Sequence, residues 1–164
     1  GRTLKVTSMA TIDYIVASLP ALAFGAPAPM TWERFMEIAE CNDSLCGEKW
    51  RDLETQLRNA MAEARGGTKY VRPANGLSLY WKNRVLACFQ ERDIAKRDEL
   101  LDRVWWDAAE ELINPISPLS KGALAAYAVR LKIAIKRDGI SKDLGNDVFD
   151  RLTAASKSTL ENKI

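Results

Sequence analysis

The chain has no histidine among its 164 residues. Histidine is the commonest general base and the partner that activates serine or cysteine nucleophiles, so most hydrolytic mechanisms lose their first candidate. Cysteine is sparse: Cys41, Cys46 and Cys88 form an odd set in a chain long enough to build a core without disulfide staples. That usage fits a reducing cytoplasm. Cys41 and Cys46 would need about two further ligands to hold zinc, and no histidine can supply one. No glycine loop opens a helix with Lys-Ser or Lys-Thr behind it, which argues against a nucleotide phosphate site. Neither a metal, a cofactor nor a small-molecule substrate is expected, and no catalytic residue is assigned.

Long apolar runs are missing too. The longest candidate, residues 15–28, is broken by Pro20, Gly25 and Pro27, well short of the roughly 20 apolar residues that cross a bilayer. Asp13 and Pro20 also spoil it as a secretory signal, so direct membrane insertion is not expected. Charge of one sign is not concentrated anywhere. The net charge is only +2, and Lys96-Arg97 is answered by Asp98-Glu99, as Lys136-Arg137 is by Asp138. A nucleic-acid binder gathers its cations on one face, so that class is not expected.

What is present suits a helical domain. Hydrophobic residues make up 47% and charged residues 28%, enough for a continuous core under an ordinary surface. Met9 stands at a plausible natural start, so residues 1–8 are expected to be a remnant of expression and residues 9–164 a single helical domain. The β-branched and aromatic stretch 11–19 is a short strand or a buried helical turn; its type stays open. Residues 20–30, with three prolines and a glycine, form a connection. Thr31 is placed as the N-cap of a helix carrying Trp32, Phe35, Met36 and Ile38.

Apolar residues at three- and four-residue spacing predict a helix over 47–65 from Trp50 to Ala64, stopped by Gly66-Gly67. The loop then runs through Pro73 and Asn75-Gly76. From Ser78 the stripe Leu79, Val85, Leu86 and Phe89 is followed by Leu101, Trp105, Ala108 and Leu112. These are two helices meeting near 92–96, or one long bent helix. Asn114-Pro115 ends that element, and Ser117-Pro118 is read as the cap and first turn of the next. This helix is expected to end at Lys136-Arg137 before Gly139, and a last one to run over 146–160 with Val148, Phe149, Leu152 and Ala155 facing inwards. The fold class is mostly α: an antiparallel bundle or array of about five to six helices.

Three residues are candidate partner contacts. Trp105 and Trp106 point about 100° apart on a helix. Trp105 follows the apolar stripe, while Trp106 is placed at its margin, packing on another helix or anchoring a partner. Arg58 and Arg65, seven residues apart, share a helix face and meet an acidic partner, or else remain solvated or paired within the chain. The carboxylate pairs Glu110-Glu111 and Asp147 with Asp150 read as surface charge.

Taken together, Tyr14-Ile15-Val16-Ala17-Ser18-Leu19-Pro20, Trp50 with Leu57-Arg58-Asn59 and Ala64-Arg65, and residues 97–106 followed by Ala125, Tyr127 and Leu131-Lys132 carry a resemblance over most of 9–152. Their order and spacing resemble a family of bacterial proteins of unassigned function encoded among the subunit genes of V-type (A/V-type) ATP synthases. The resemblance implies a non-catalytic subunit or accessory factor, a counterpart of the helical component of the stalk. Its partners would be V-type ATPase subunits on the stalk or membrane-ring side, and it would lie in the cytoplasm, peripheral to the membrane through the complex. Two other readings stand beside it. One is a helical regulatory module that takes a peptide or partner helix in a groove. The other is a lyase or hydrolase working with carboxylates and a lysine in a helical pocket.

Overall fold

The computed structural model describes residues 11–39, 48–66 and 79–161, with side chains except at 48, 49 and 156–161. Residues 1–8, the pair Cys41 and Cys46, Gly67, and the loop at Pro73 and Asn75-Gly76 lie outside these residues. The described residues form six α-helices: α1 Ile12–Ser18, α2 Trp32–Ala39, α3 Glu48–Ala64, α4 Leu79–Cys88, α5 Ile94–Ala108 and α6 Lys121–Glu161. A 3₁₀ turn, Ala109–Leu112, follows α5 directly. Among the described residues the only β-type pairing is an isolated bridge between Asn114 and Ser117. The mostly helical array expected from the periodicity is thus the fold.

The first half of α6 is its centre. Leu124, Ala128 and Leu131 lie on one face and pack with Ile15 of α1 and with Phe35 and Ala39 of α2. Ala126, Val129 and Ile133 start two residues later, about 200° around the helix, and so face the opposite way. They join Trp50, Leu53, Leu57 and Ala60 of α3, Trp81 and Val85 of α4, and Leu101, Val104 and Trp106 of α5. A helix apolar on two opposite faces has to be enclosed, and its many alanines let neighbours approach closely. Gly122 takes this furthest: a Cβ there would collide with the backbone carbonyl of Leu112 in the 3₁₀ turn.

Local signals place the other helices. Segment 12–18, open between strand and helix from its residues alone, is helical, with Ile15 buried. Thr31 caps α2 as expected, its Oγ1 accepting from the Arg34 amide at 3.1 Å. Gly66 closes α3 with φ +88. The chain between α4 and α5 is broken by Asp93, whose carboxylate accepts from the amides of Ala95 and Lys96. Two helices, not one bent helix, therefore meet there. Arg97 strengthens the corner by donating to the Glu91 carbonyl from Nε and Nη2 at 3.0 and 2.8 Å. The connection 20–30 is ordered against the core through Leu22, Phe24 and Ala28, and the Tyr127 hydroxyl donates to the Pro20 carbonyl at 2.7 Å.

Four expectations need correction. The α6 start lies at Lys121, not at Ser117-Pro118. Asn114 captures the Ile116 amide with its side chain and the Ser117 amide with its carbonyl, building a turn that uses up Ser117 before the helix begins. Nor does the helix stop before Gly139; it continues unbroken to Glu161. An interior glycine costs only about 1 kcal/mol relative to alanine, and no proline follows to enforce a stop. Lys136 and Arg137 are consequently not C-terminal dipole partners. They clamp α6 to α5, with Lys136 2.9 Å and Arg137 3.2 Å from Asp102, and both also reaching Asp98. Finally, Val148, Phe149 and Leu152 do not face inwards: every residue from 141 to 155 is exposed.

Candidate partner-binding groove

An open groove of about 710 Å³ runs along the junction of α4, the end of α5, the 3₁₀ turn and α6. The first turn of α4 puts Tyr80 and Trp81 side by side, and Arg84 follows one turn later on the same face as both. Trp81 is buried, and its indole Nε1 donates to Glu111 Oε1 at 2.5 Å. Arg84 lies over the Trp81 ring, 5.6 Å from its centroid, and pairs with Asp107 at 2.7 Å. Arg103 binds the other oxygen of Asp107 at 3.2 Å, so that carboxylate is held from two sides.

The far wall belongs to α6. Arg130 donates from Nε to the Trp106 carbonyl at 3.0 Å and from Nη2 to Glu110 at 2.9 Å. It thereby supplies a partner to a carbonyl at the C-terminal end of α5, where helix carbonyls otherwise lack one. Burial alone would lower the Arg84 pKa, but the hydrogen bond and charge of Asp107, helped by Tyr80, outweigh it and the net shift is upward. Arg84 is thus a fixed positive charge. Two arginines and three carboxylates line the groove, and each of the five has a partner within the chain. Such an array holds walls in position. It offers a partner a rigid aromatic and polar surface rather than an unpaired base.

The rim is apolar and accessible. Tyr80 is 63% exposed above the Trp81 floor, with the two rings edge to face at 4.8 Å. Pro115 also lines the groove, and its chain neighbour Ile116 is 92% exposed. The turn that displaced the start of α6 is what exposes Ile116.

None of the three residues singled out in the sequence lines this groove. Trp106 is only 7% exposed, against Phe24 at 5.6 Å on one side and the Arg130 guanidinium at 5.6 Å on another. Its order with Trp105 is the reverse of that expected: Trp106 is buried and Trp105 half-buried. The cause is Phe24, which the proline-rich connection brings onto α5 from far away in sequence. Arg58 stands on an exposed side of α3, bound to Glu54 at 2.6 Å. Arg65 lies just past the end of α3 with its guanidinium over Phe89, which Arg97 also covers. Trp81 and Arg130 escape sequence reasoning, and Glu111 reads there only as surface charge, since nothing local ties positions 81, 111 and 130 together.

No protein-family model, curated protein or solved structure matches the chain. Among the described residues, no cluster of three or more potential metal ligands occurs, and no helix is long and apolar enough to cross a membrane.

Proposed function

We propose that this chain is a non-catalytic protein-binding component, a subunit or assembly factor of a bacterial V-type ATP synthase, which holds its partner in the groove. The ATPase half of the reading rests on the sequence resemblance alone. The binding half rests on one observation: Tyr80 stays 63% exposed over a Trp81 floor that Glu111 and Arg84 hold rigid. Tyrosine, tryptophan and arginine contribute most of the binding energy at protein interfaces. They do so best when they are already ordered in the free protein, because less entropy is then lost on docking.

The experiment is affinity purification of the tagged protein from its own cells under mild conditions, with mass spectrometry of the bound proteins and a Tyr80→Ala variant in parallel. Wild type is expected to recover catalytic, stalk or membrane-ring subunits of the ATPase. The variant should recover them at least about tenfold less, the loss expected for an aromatic anchor. If the subunits are plainly present in the lysate but none is recovered, the ATPase assignment fails. A free helical module binding a peptide or partner helix would then be the better description, and the open groove lined by Tyr80 and Trp81 favours that reading next.

A further inference from the structure

The fold holds its own arginines by one recurring arrangement. Arg84 lies over Trp81 at 5.6 Å and pairs with Asp107, and Arg130 lies over Trp106 at 5.6 Å and pairs with Glu110. Arg103 does the same with Phe24, at 5.1 Å, and Asp107. A guanidinium suits both halves at once: its flat face is drawn to the electron-rich face of a ring, while its edge donates to a carboxylate.

In the groove the same two halves occur once more without a cation. Tyr80 is 63% exposed, and among the described residues no guanidinium lies over its ring. Its hydroxyl interacts with Arg84, but that contact is made at the edge of the ring. Glu111 touches the same Trp81 indole that Tyr80 packs against, which keeps the exposed ring and the carboxylate within reach of one arginine side chain. Glu111 is itself exposed, and its hydrogen-bond partner is that neutral indole. Asp107 and Glu110 are answered by arginines; among the described residues Glu111 is the carboxylate of the groove that no cation answers.

The charge open to a partner is accordingly negative. Arg84 and Arg130 keep only 29% and 20% of their side chains exposed and spend their donors on partners within the chain, whereas Glu110 is 66% exposed. An anionic ligand would have to displace those pairs. A cation need displace nothing, because each oxygen of a carboxylate accepts more than one hydrogen bond.

We propose that the groove takes an arginine of its partner, the guanidinium lying on the Tyr80 ring and donating to Glu111. The inference rests on the groove being the docking site and adds the chemistry of what docks there. Arg84 repels an incoming cation, which keeps the guanidinium to the Glu111 side of the ring. Lysine meets the charge but has neither the flat face nor the fork, so arginine is preferred. Apolar residues beside the arginine would rest on Ile113 and Pro115 of the lining.

Selection of short random peptides displayed on phage, against the full chain, tests the proposal. The variants are Tyr80→Ala and Glu111→Gln, with circular dichroism as the check on folding. Glu111→Gln removes the charge but keeps an acceptor for the Trp81 indole. Peptides that bind wild type and not Tyr80→Ala should share an arginine. In a synthetic copy, citrulline in place of that arginine keeps the shape, loses the charge and should weaken binding at least about tenfold. Glu111→Gln should weaken the arginine peptide by a similar factor and the citrulline peptide no further, since the two changes remove the same contact. Tyr80-dependent peptides that lack arginine, share an acidic residue instead, or bind Glu111→Gln as tightly as wild type would overturn the arginine inference and leave the groove reading standing. Peptides indifferent to Tyr80→Ala, or no binders at all, would remove the groove reading and this inference with it.

Discussion

The indole nitrogen of Trp81 and the carboxylate of Glu111, 30 residues apart in the chain, form a 2.5 Å hydrogen bond that ties α4 to the 3₁₀ turn. Trp81 is 5% exposed, so the bond is made at the edge of the core and also fixes the floor of the groove. Replacing Glu111 by alanine should cost about 1–2 kcal/mol in urea unfolding, whereas Glu111→Gln, which keeps an acceptor oxygen, should cost under about half of that. Equal losses for the two substitutions would show that the charge of Glu111, not its hydrogen bond, is what matters.

The central helix α6 carries a paired test of packing against propensity. Gly122→Ala forces a methyl against the Leu112 carbonyl, a backbone atom that cannot swing aside, and should destabilise by about 1–3 kcal/mol. Gly139→Ala adds its methyl in open space and should stabilise by about 0.5–1 kcal/mol. The two midpoints in one denaturation series should move in opposite directions. If both rose, the contact between α6 and the 3₁₀ turn would not be as close as described.

Arg137 and Asp102 are the least exposed members of the four-charge clamp, at 17% and 14%, while Lys136 and Asp98 are near half exposed. Solvent screens the outer pair, so Asp98→Ala should cost under about 1 kcal/mol. Asp102→Ala leaves the largely desolvated Arg137 beside one remaining carboxylate and should cost about 1–3 kcal/mol, falling as salt is added. A double-mutant cycle on Asp102 and Arg137 measures the pair term. A coupling energy indistinguishable from zero would remove this clamp from the account of how α6 is held.

Much of this fold is written locally, and the exceptions share a cause. Helical spacing from Trp50 to Ala64, the Thr31 cap and the Gly66 stop all depend on neighbours within one or two turns, and each is realised. Periodicity misplaces Trp106 because its cover, Phe24, arrives from a segment about eighty residues earlier, which helical spacing does not register. The set Val148, Phe149, Leu152 and Ala155 reads as core because amphipathic spacing gives an apolar side without saying what meets it. Gly139 is a weaker stop than its position suggests: glycine permits a left-handed ending but does not impose one. The groove is illegible for the same reason as Trp106, since Trp81, Glu111 and Arg130 share a site only after three elements have packed.

Alkaline pH offers a test of two protons held by the fold, one on buried Cys88 and one on half-buried Tyr127. Burial raises the Cys88 thiol above its ordinary value, with the nearby Arg84 charge opposing in part, and burial likewise raises the Tyr127 phenol. Both groups therefore hold their protons more tightly folded than unfolded. Their contribution is complete below the ordinary thiol value of about 8.5 and is lost as pH rises, first through the thiol range and then above the phenol value of about 10. The folded chain binds more protons than the unfolded one across that window, so the slope of stability against pH is negative there. Urea midpoints measured from pH 7 to 11 should fall for wild type. Cys88→Ala should flatten the part of the curve just above about pH 8.5, and Tyr127→Phe the part above about pH 10, whatever each substitution does to stability at neutral pH. Unchanged slopes in both variants would mean that neither proton is held by the fold. The same burial predicts that Cys88 is alkylated at pH 8 far more slowly in the native chain than in urea, a difference that mass spectrometry of the peptide reads directly.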